Sequence, residues 1–418
     1  MVKSGAMSFP RVVVTGLGVI TPIGLTIADF WSNLVAGRSG VRHITRFDTS
    51  RHPYKLAAEV EGFDPLKYMD AKQASRMSRY SQMAVAAASM AVQMAGIDIK
   101  TERPERAGVV VATLGQVRTI HELAVYLERP TPPRVDPLFL HKTGHNMAAV
   151  QVGRHLGFRG PNSSVNSACA SGADAIGAAL NFIRLGKADV MVAGGTDDTV
   201  GPVSVLAMGM IGAVSKATEP GTAPKPFDLN RDGSIVGEGA GMLVLETEDH
   251  ARRRGARVLA ELAGTGWSFD AYNEVAPDPE GEALAIKAAL DDAGLQPEDI
   301  QHVNAHGTAT RLNDAAETKA LKLALGDHAY KVTVSANKSI TGHLSCGAGA
   351  VESVASVLTI VNGIIPPTIN YRTPDPECDL DYVPNTARRA SVETCLKNSF
   401  GLGGQNCCLI FRRMRGER

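Results

Sequence analysis

CASGADAIGAAL (169–180) and CGAGAVESVASVL (346–358) open alike, Cys-x-x-Gly-Ala, and both run on into an alanine-rich stretch of helical length. One such match in each half is compatible with chance or with a duplicated architecture. Around the two stretches the chain alternates. Continuous apolar runs of strand length recur at RVVVTG (11–16), GVVVAT (108–113), ADVMVAGG (188–195), GMLVLE (241–246), VLAELAG (258–264), IQHVNAHG (300–307) and VTVSAN (332–337). Runs without polar alternation predict strands buried on both faces, as in a parallel sheet covered by helices. Residues 82–95, 173–185, 281–293, 315–325 and 348–361 predict the helices, with Gly186, Gly294 and Gly363 at their stops. The alternation argues an α/β protein. The polar, Arg-rich stretch 246–257 is the natural boundary between the halves, and 129–137 and 219–228 read as loops.

Composition narrows the function. The chain has 418 residues, with 43 Lys+Arg against 43 Asp+Glu. No whole-protein field exists to recruit nucleic acid or an anionic membrane, so an acidic partner must meet a local basic patch. No apolar run is long enough to span a bilayer, and residues 1–10 lack a signal-peptide pattern. Six cysteines in so long a chain make no disulfide scaffold. The expectation is a cytoplasmic protein with reduced thiols.

Four segments carry chemistry. Cys169 stands at a predicted strand-to-helix junction, where the positive end of the helix dipole favours thiolate; a small buried core thiol is the competing reading. His306 follows a predicted strand and precedes a Gly-Thr turn. Lys338 and His343 share a Gly-containing loop before a helix. NSFGLGGQN (398–406) either offers backbone N–H groups to an anion or is a plain tight turn. GLGVITPIG (16–24) has Thr21 where a dinucleotide fingerprint needs Gly. DLNRDG (228–233) starts like a calcium loop without the glutamate at its twelfth position, and HKTGH (141–145) lacks the glutamate of a zinc protease helix.

Taken together, RVVVTGLGVITPIG (11–24), SACASGADAIG (167–177), KPFDLNRDGSIVGEGAGMLVLE (225–246), NAHGTATRLND (304–314), NKSITGHLSCGAGA (337–350) and NSFGLGGQN (398–406) resemble the β-ketoacyl-acyl carrier protein synthases, in particular the elongating type II enzymes. The resemblance implies a thiolase-like duplicated α/β fold in five layers, αβαβα. Its halves would be 10–256, with the nucleophilic cysteine, and 257–414, with the histidines and lysine. It implies Cys169 as nucleophile, His306 and His343 as the paired histidines, Lys338 as supporting lysine and Glu317 as the acid that pairs with it. The backbone amides of Cys169 and Leu402 would form the oxyanion hole, each worth about 3–4 kcal/mol to the transition state. Leu114, Phe400 and Leu402 would line or gate the acyl pocket. The implied partners are an acyl carrier protein, docking on Lys72, Arg76 and Arg134, and a second copy in a homodimer. Neither metal nor organic cofactor is implied.

The sequence departs from the family at Leu402, where a second aromatic gate is usual, and at Gln405, usually Thr. Lys397 and Cys346 stand where small residues are common. The departures keep a polyketide or specialised-lipid ketosynthase open. A non-catalytic tunnel-shaping partner conflicts with the intact Cys169, His306, His343 and Lys338, and a thiolase conflicts with the Gly-His at 342–343.

Overall fold

The computed structural model describes residues 9–115, 126–128 and 136–414. Ten strands form one mixed sheet. Five come from each half: β1 (Val12–Ile20), β2 (Ala107–Ala112), β3 (Asn162–Ser163), β4 (Val190–Asp198) and β5 (Glu238–Thr247), then β6 (Ala260–Phe269), β7 (His302–Asn304), β8 (Thr333–Ser335), β9 (Thr394–Phe400) and β10 (Gln405–Arg412). Their spatial order is β8-β7-β9-β10-β6-β1-β5-β4-β2-β3. Read outward from the centre, β1-β5-β4-β2-β3 and β6-β10-β9-β7-β8 are the same arrangement five strands apart. The duplication suggested by the two Cys-x-x-Gly-Ala segments is therefore carried by the whole topology. The halves meet where Val13 and Val14 pair with Glu261 and Ala260.

Three pairs of helices repeat with the same offset. They are α1 (Arg79–Ala95), α2 (Met147–Leu156) and α3 (Ser171–Arg184), then α4 (Pro279–Ala293), α5 (Arg311–Leu325) and α6 (Cys346–Asn362). Helices α1 and α2 cover one outer face and α4 and α5 the other, while α3 and α6 lie between the two sets of strands. That gives five layers. Three apolar cores match them. Ile176, Leu180, Val351 and Val354 fill the middle, Ala84, Ala88 and Val109 one outer interface, and Ile286, Val303 and Leu321 the other. The predicted helix stops hold. Gly294 and Gly363 cap α4 and α6 in the left-handed conformation that glycine adopts at no steric penalty, and Gly186 follows α3 in the same way.

The expectation of a parallel sheet needs correction. The strands are buried on both faces as read, but β1 runs antiparallel to both β5 and β6, and β4–β5, β9–β10 and β6–β10 are antiparallel too. Only β2–β3, β2–β4, β7–β8 and β7–β9 are parallel. Burial by helices on both sides makes any strand apolar throughout, whatever its direction.

The middle layer is close-packed backbone against backbone. A Cβ built on Gly172 of α3 would lie 2.5 Å from the Cys346 carbonyl oxygen, and one on Gly195 of β4 would lie 2.1 Å from the same atom. These glycines let the N-terminal ends of α3 and α6 meet. The junctions that carry the candidate chemistry are thereby brought into one place.

Candidate active site

Cys169 sits in a single 3-10 turn, Ala168–Ala170, that opens α3. The strand expected to feed it stops earlier, at Ser163. Ala168 has φ 49°, a left-handed conformation that disfavours any side chain with a Cβ. It is held there from three sides. Its N–H donates to Asn166 Oδ1 at 3.2 Å, and its carbonyl accepts from Ser171 Oγ at 2.6 Å and from the Cys346 thiol at 3.4 Å. Cys346, the internal counterpart of Cys169, thus spends its thiol on the residue before the nucleophile, and burial pushes that thiol well up.

The Cys169 thiol meets the backbone N–H groups of Leu402 and of Cys169 itself, the pair expected for an oxyanion hole. Its acidity differs from the expectation. Burial pushes the thiol up, and the Leu402 amide and the Lys338 charge offset this only in part. The helix dipole alone does not make a standing thiolate here.

His306 follows β7 and is 3% exposed; His343 is 8% exposed. Their ring centroids are 5.7 Å apart and nearly perpendicular. Lys338 opens a short helical turn, Lys338–Thr341, and is fully buried. Its Nζ donates to the His306 carbonyl at 2.6 Å and lies 3.2 Å from His306 Nδ1. His343 Nδ1 accepts the Ser345 N–H at 3.1 Å. With both Nδ1 atoms occupied as acceptors, each neutral ring carries its proton on Nε2. Burial first, and then the Lys338 charge, hold both imidazoles well below the usual histidine range. Near neutral pH the pair consists of two uncharged Nε2–H donors.

The lysine's acid is a correction. Glu317 does not pair with Lys338. Its two oxygens accept the N–H groups of His306 and Gly307, both at 2.8 Å, and Asn398 Nδ2 at 3.1 Å. It fixes the loop that carries His306. The acid on Lys338 is Glu352 of α6, with Oε1 at 2.7 Å from Nζ. Glu352 was missed because the pairing is made through space. Its signal was the one charged residue of a helix that is otherwise small, apolar or hydroxyl-bearing and buried from Cys346 to Ile360, a position a carboxylate seldom occupies unpaired. Asp197 was missed too. Fully enclosed at the end of β4, it accepts Thr113 Oγ1, the Leu114 N–H and the Cys346 N–H at 2.8–2.9 Å, and burial pushes its carboxyl up to about 6.

These residues share one cavity of about 1040 Å³, lined by Leu114, Cys169, His306, His343, Phe400 and Leu402. Met208 and Ile211, from the helix Pro202–Met210 and the residue after it, extend its apolar wall. Phe400 is buried with its ring 5.9 Å from that of His306, whereas Leu402 stands 44% exposed at the rim. The loop turns sharply at Gly403 and Gly404, with φ 93° and 85°, and Gly401 approaches the Ser167 carbonyl so closely that a Cβ would lie 2.4 Å away. The glycines therefore bring the Leu402 amide to Cys169.

Lys72 lies in the short helix Ala71–Ser75 and Arg76 just after it; both are exposed, four residues apart. Arg134 lies outside the described residues. No cluster of three or more metal-ligating side chains occurs among the described residues, and no helix among them is long and apolar enough to cross a membrane.

Comparison with known proteins fits this geometry. Residues 10–251 match the beta-ketoacyl synthase N-terminal domain and residues 259–372 the corresponding C-terminal domain. The chain is 43% identical over 407 residues to a 3-oxoacyl-[acyl-carrier-protein] synthase 2 of Synechocystis, covering 96% of this chain and 98% of the relative. A synthase of the same name from Coxiella burnetii is 42% identical over 408 residues, covering 97% and 99%. Among solved structures, the ishigamide ketosynthase/chain length factor superposes with a TM-score of 0.91 at 37% identity, over 97% of this chain and all of that one. A ketosynthase solved with its type II polyketide acyl-carrier protein gives 0.90 at 33%, with the same coverage.

Proposed function

The chain belongs to the β-ketoacyl synthase family, and on that premise we propose how its residues divide the condensation of an acyl chain with malonyl-acyl carrier protein. The observation that carries the reading is the joint placement of Cys169, two Nε2–H histidines and two backbone amides on one cavity.

In the first half-reaction the Cys169 sulfur attacks the acyl thioester. The oxyanion is held by the amides of Cys169 and Leu402. The carbon–sulfur bond to the carrier breaks, and the departing thiolate takes the proton that Cys169 gives up. A thiol pushed up by burial favours a proton lost in concert with attack over a standing thiolate. In the second, malonyl-carrier protein loses carbon dioxide. The electron pair of the broken carbon–carbon bond goes into an enolate whose oxygen accepts from His306 and His343 Nε2–H. The enolate carbon then attacks the acyl-Cys169 carbonyl. A carbon–carbon bond forms, the bond to sulfur breaks, and the Cys169 thiolate takes from solvent the one proton that decarboxylative condensation consumes overall.

Lys338 keeps the His306 ring oriented and uncharged, Glu317 fixes its backbone, and Leu114, Phe400 and Leu402 shape acyl entry. We further propose a homodimer, a cytoplasmic setting, a division of the chain between 256 and 257, and carrier docking on Lys72, Arg76 and Arg134. The support for docking is that a neutral protein meets an acidic partner through a local basic patch.

The test is intact-protein and peptide mass spectrometry with acyl-carrier proteins, followed by malonyl-carrier protein, beside Cys169→Ala. An acyl adduct on Cys169 that discharges into an extended β-ketoacyl product is expected. An adduct on Cys346 that persists in the variant overturns the assignment. The elongation reading fails, in favour of a polyketide ketosynthase, if the product keeps growing without reduction of its keto groups.

A further inference from the structure

Lys397 is a fully buried lysine that no step above uses. It lies on β9, in register with Asn304 of β7, on the stretch that leads to Phe400 and Leu402. Its Nζ is 2.9 Å from Glu352 Oε2 and donates to the Asn398 carbonyl and, at 3.0 Å, to Ser399 Oγ. Glu352 is therefore shared by two ammonium groups, with Lys338 on Oε1 and Lys397 on Oε2. Among the described residues Oε2 accepts no well-aligned hydrogen bond, so the Lys397 charge is its compensation. Lys338, Lys397, Glu317 and Glu352 are each at most 1% exposed. Two positive and two negative groups balance in a space where an uncompensated charge is strongly unfavourable.

Resting on the role given above to Lys338, we propose that Lys397 is a positioning residue for condensation: it anchors Glu352 so that Lys338 stays beneath His306 and the enolate-binding ring stays in place. Without it, Glu352 has one free oxygen and a net negative surround, and rotates to share Lys338 between both oxygens. That motion draws Nζ off the His306 carbonyl. Displacement of a catalytic ring by about an ångström is enough to lower a rate by about 100-fold. Cys169 is reached only indirectly, since its amide donors belong to Leu402 and to itself.

The two half-reactions therefore separate. Lys397→Met is expected to lower malonyl-carrier decarboxylation by about 100-fold while acylation of Cys169 stays within about threefold of the parent. In Lys397→Ala, methylammonium chloride should restore decarboxylation by about tenfold or more, with no effect on the parent or on Lys397→Met. Full decarboxylation in a folded Lys397→Met protein, or equal loss of both half-reactions without rescue, overturns the proposal. If Lys397→Met does not fold, Lys397→Ala purified in methylammonium chloride carries the test. The anchoring role predicts that removing the amine lowers decarboxylation by about tenfold or more while acylation of Cys169 is kept, and joint loss of both half-reactions overturns it. Failure of the parent itself to acylate Cys169 would instead refute the underlying reading.

Discussion

At the scale of single residues, the site works by fixing protons and backbones around a few polar atoms. Glu317 makes this explicit: three buried donors converge on its two oxygens. Glu317→Gln leaves one acceptor and aims an amide N–H₂ at a donor. A buried donor left unsatisfied costs about 1–3 kcal/mol, and the His306 loop is where the strain is released. The expected result is a condensation rate lowered by about 100-fold with Cys169 acylation largely kept, read by single-turnover assays of each half-reaction. Asp197 gives a prediction in pH. Its carboxyl titrates at about 6 in the folded protein, above its ordinary value near 3.8. A raised value means that the folded state binds the proton more tightly. That contribution is complete below about pH 4 and is lost as pH rises through 6. Urea unfolding at pH 5 and pH 7.5 should show Asp197→Asn losing about 1 kcal/mol less than the parent over that interval. An equal loss in both would remove Asp197 as its source. The sequence made Cys169, His306, His343 and Lys338 legible because each sits in a contiguous motif. Glu352, Asp197 and the true station of Glu317 were not, because the partner a buried carboxylate meets is chosen by tertiary packing, at separations that run from 10 to 149 positions.

At the scale of elements, small residues decide how near the layers come. Helices α3 and α6 approach through Gly172 and the backbone around Cys346, and β4 through Gly195. Gly195→Ala would force a methyl to 2.1 Å from the Cys346 carbonyl and must push α6 away. Overpacking of this kind typically destabilises by about 1–3 kcal/mol, and because α6 begins at the site, activity falls with stability. Gly201→Ala is the control, with ordinary backbone dihedrals and no neighbour nearer than 3.4 Å. Chemical denaturation of the two variants should separate them clearly; equal stability would mean that α6 adjusts freely. The alanine-rich helices were readable for the same reason, since small side chains in long runs mark close approach. Helix α2 was not, because Gln151 and Arg154 interrupt MAAVQVGRHL (147–156). Strand β9 was not, because Lys397 sits in the middle of TCLKNSF (394–400). A buried charge that serves the site disguises the element that carries it.

At the scale of the whole molecule, the repeated strand order was only hinted at by two short helix openings, and strand direction was not legible at all, since burial on both faces erases alternation. The order has a consequence for how the protein is made. In each half the last two strands to be synthesised lie inside the sheet: β4 and β5 come between β2 and β1, and β9 and β10 between β7 and β6. A ribosome that has finished α6 has thus made a second half whose sheet still has a gap, with β6 and β7 each lacking a neighbour. The buried charges of Glu317, Lys338 and Glu352 then have no Lys397 to meet. Such nascent chains expose apolar strand edges and are natural clients of chaperones. Stalled chains ending before residue 394 should show protease protection of 12–247 only, and protection of 260–365 should appear once residues 394–412 have left the exit tunnel. Co-translational assembly of the half that carries His306, Lys338 and His343 is therefore timed by its last two strands to emerge.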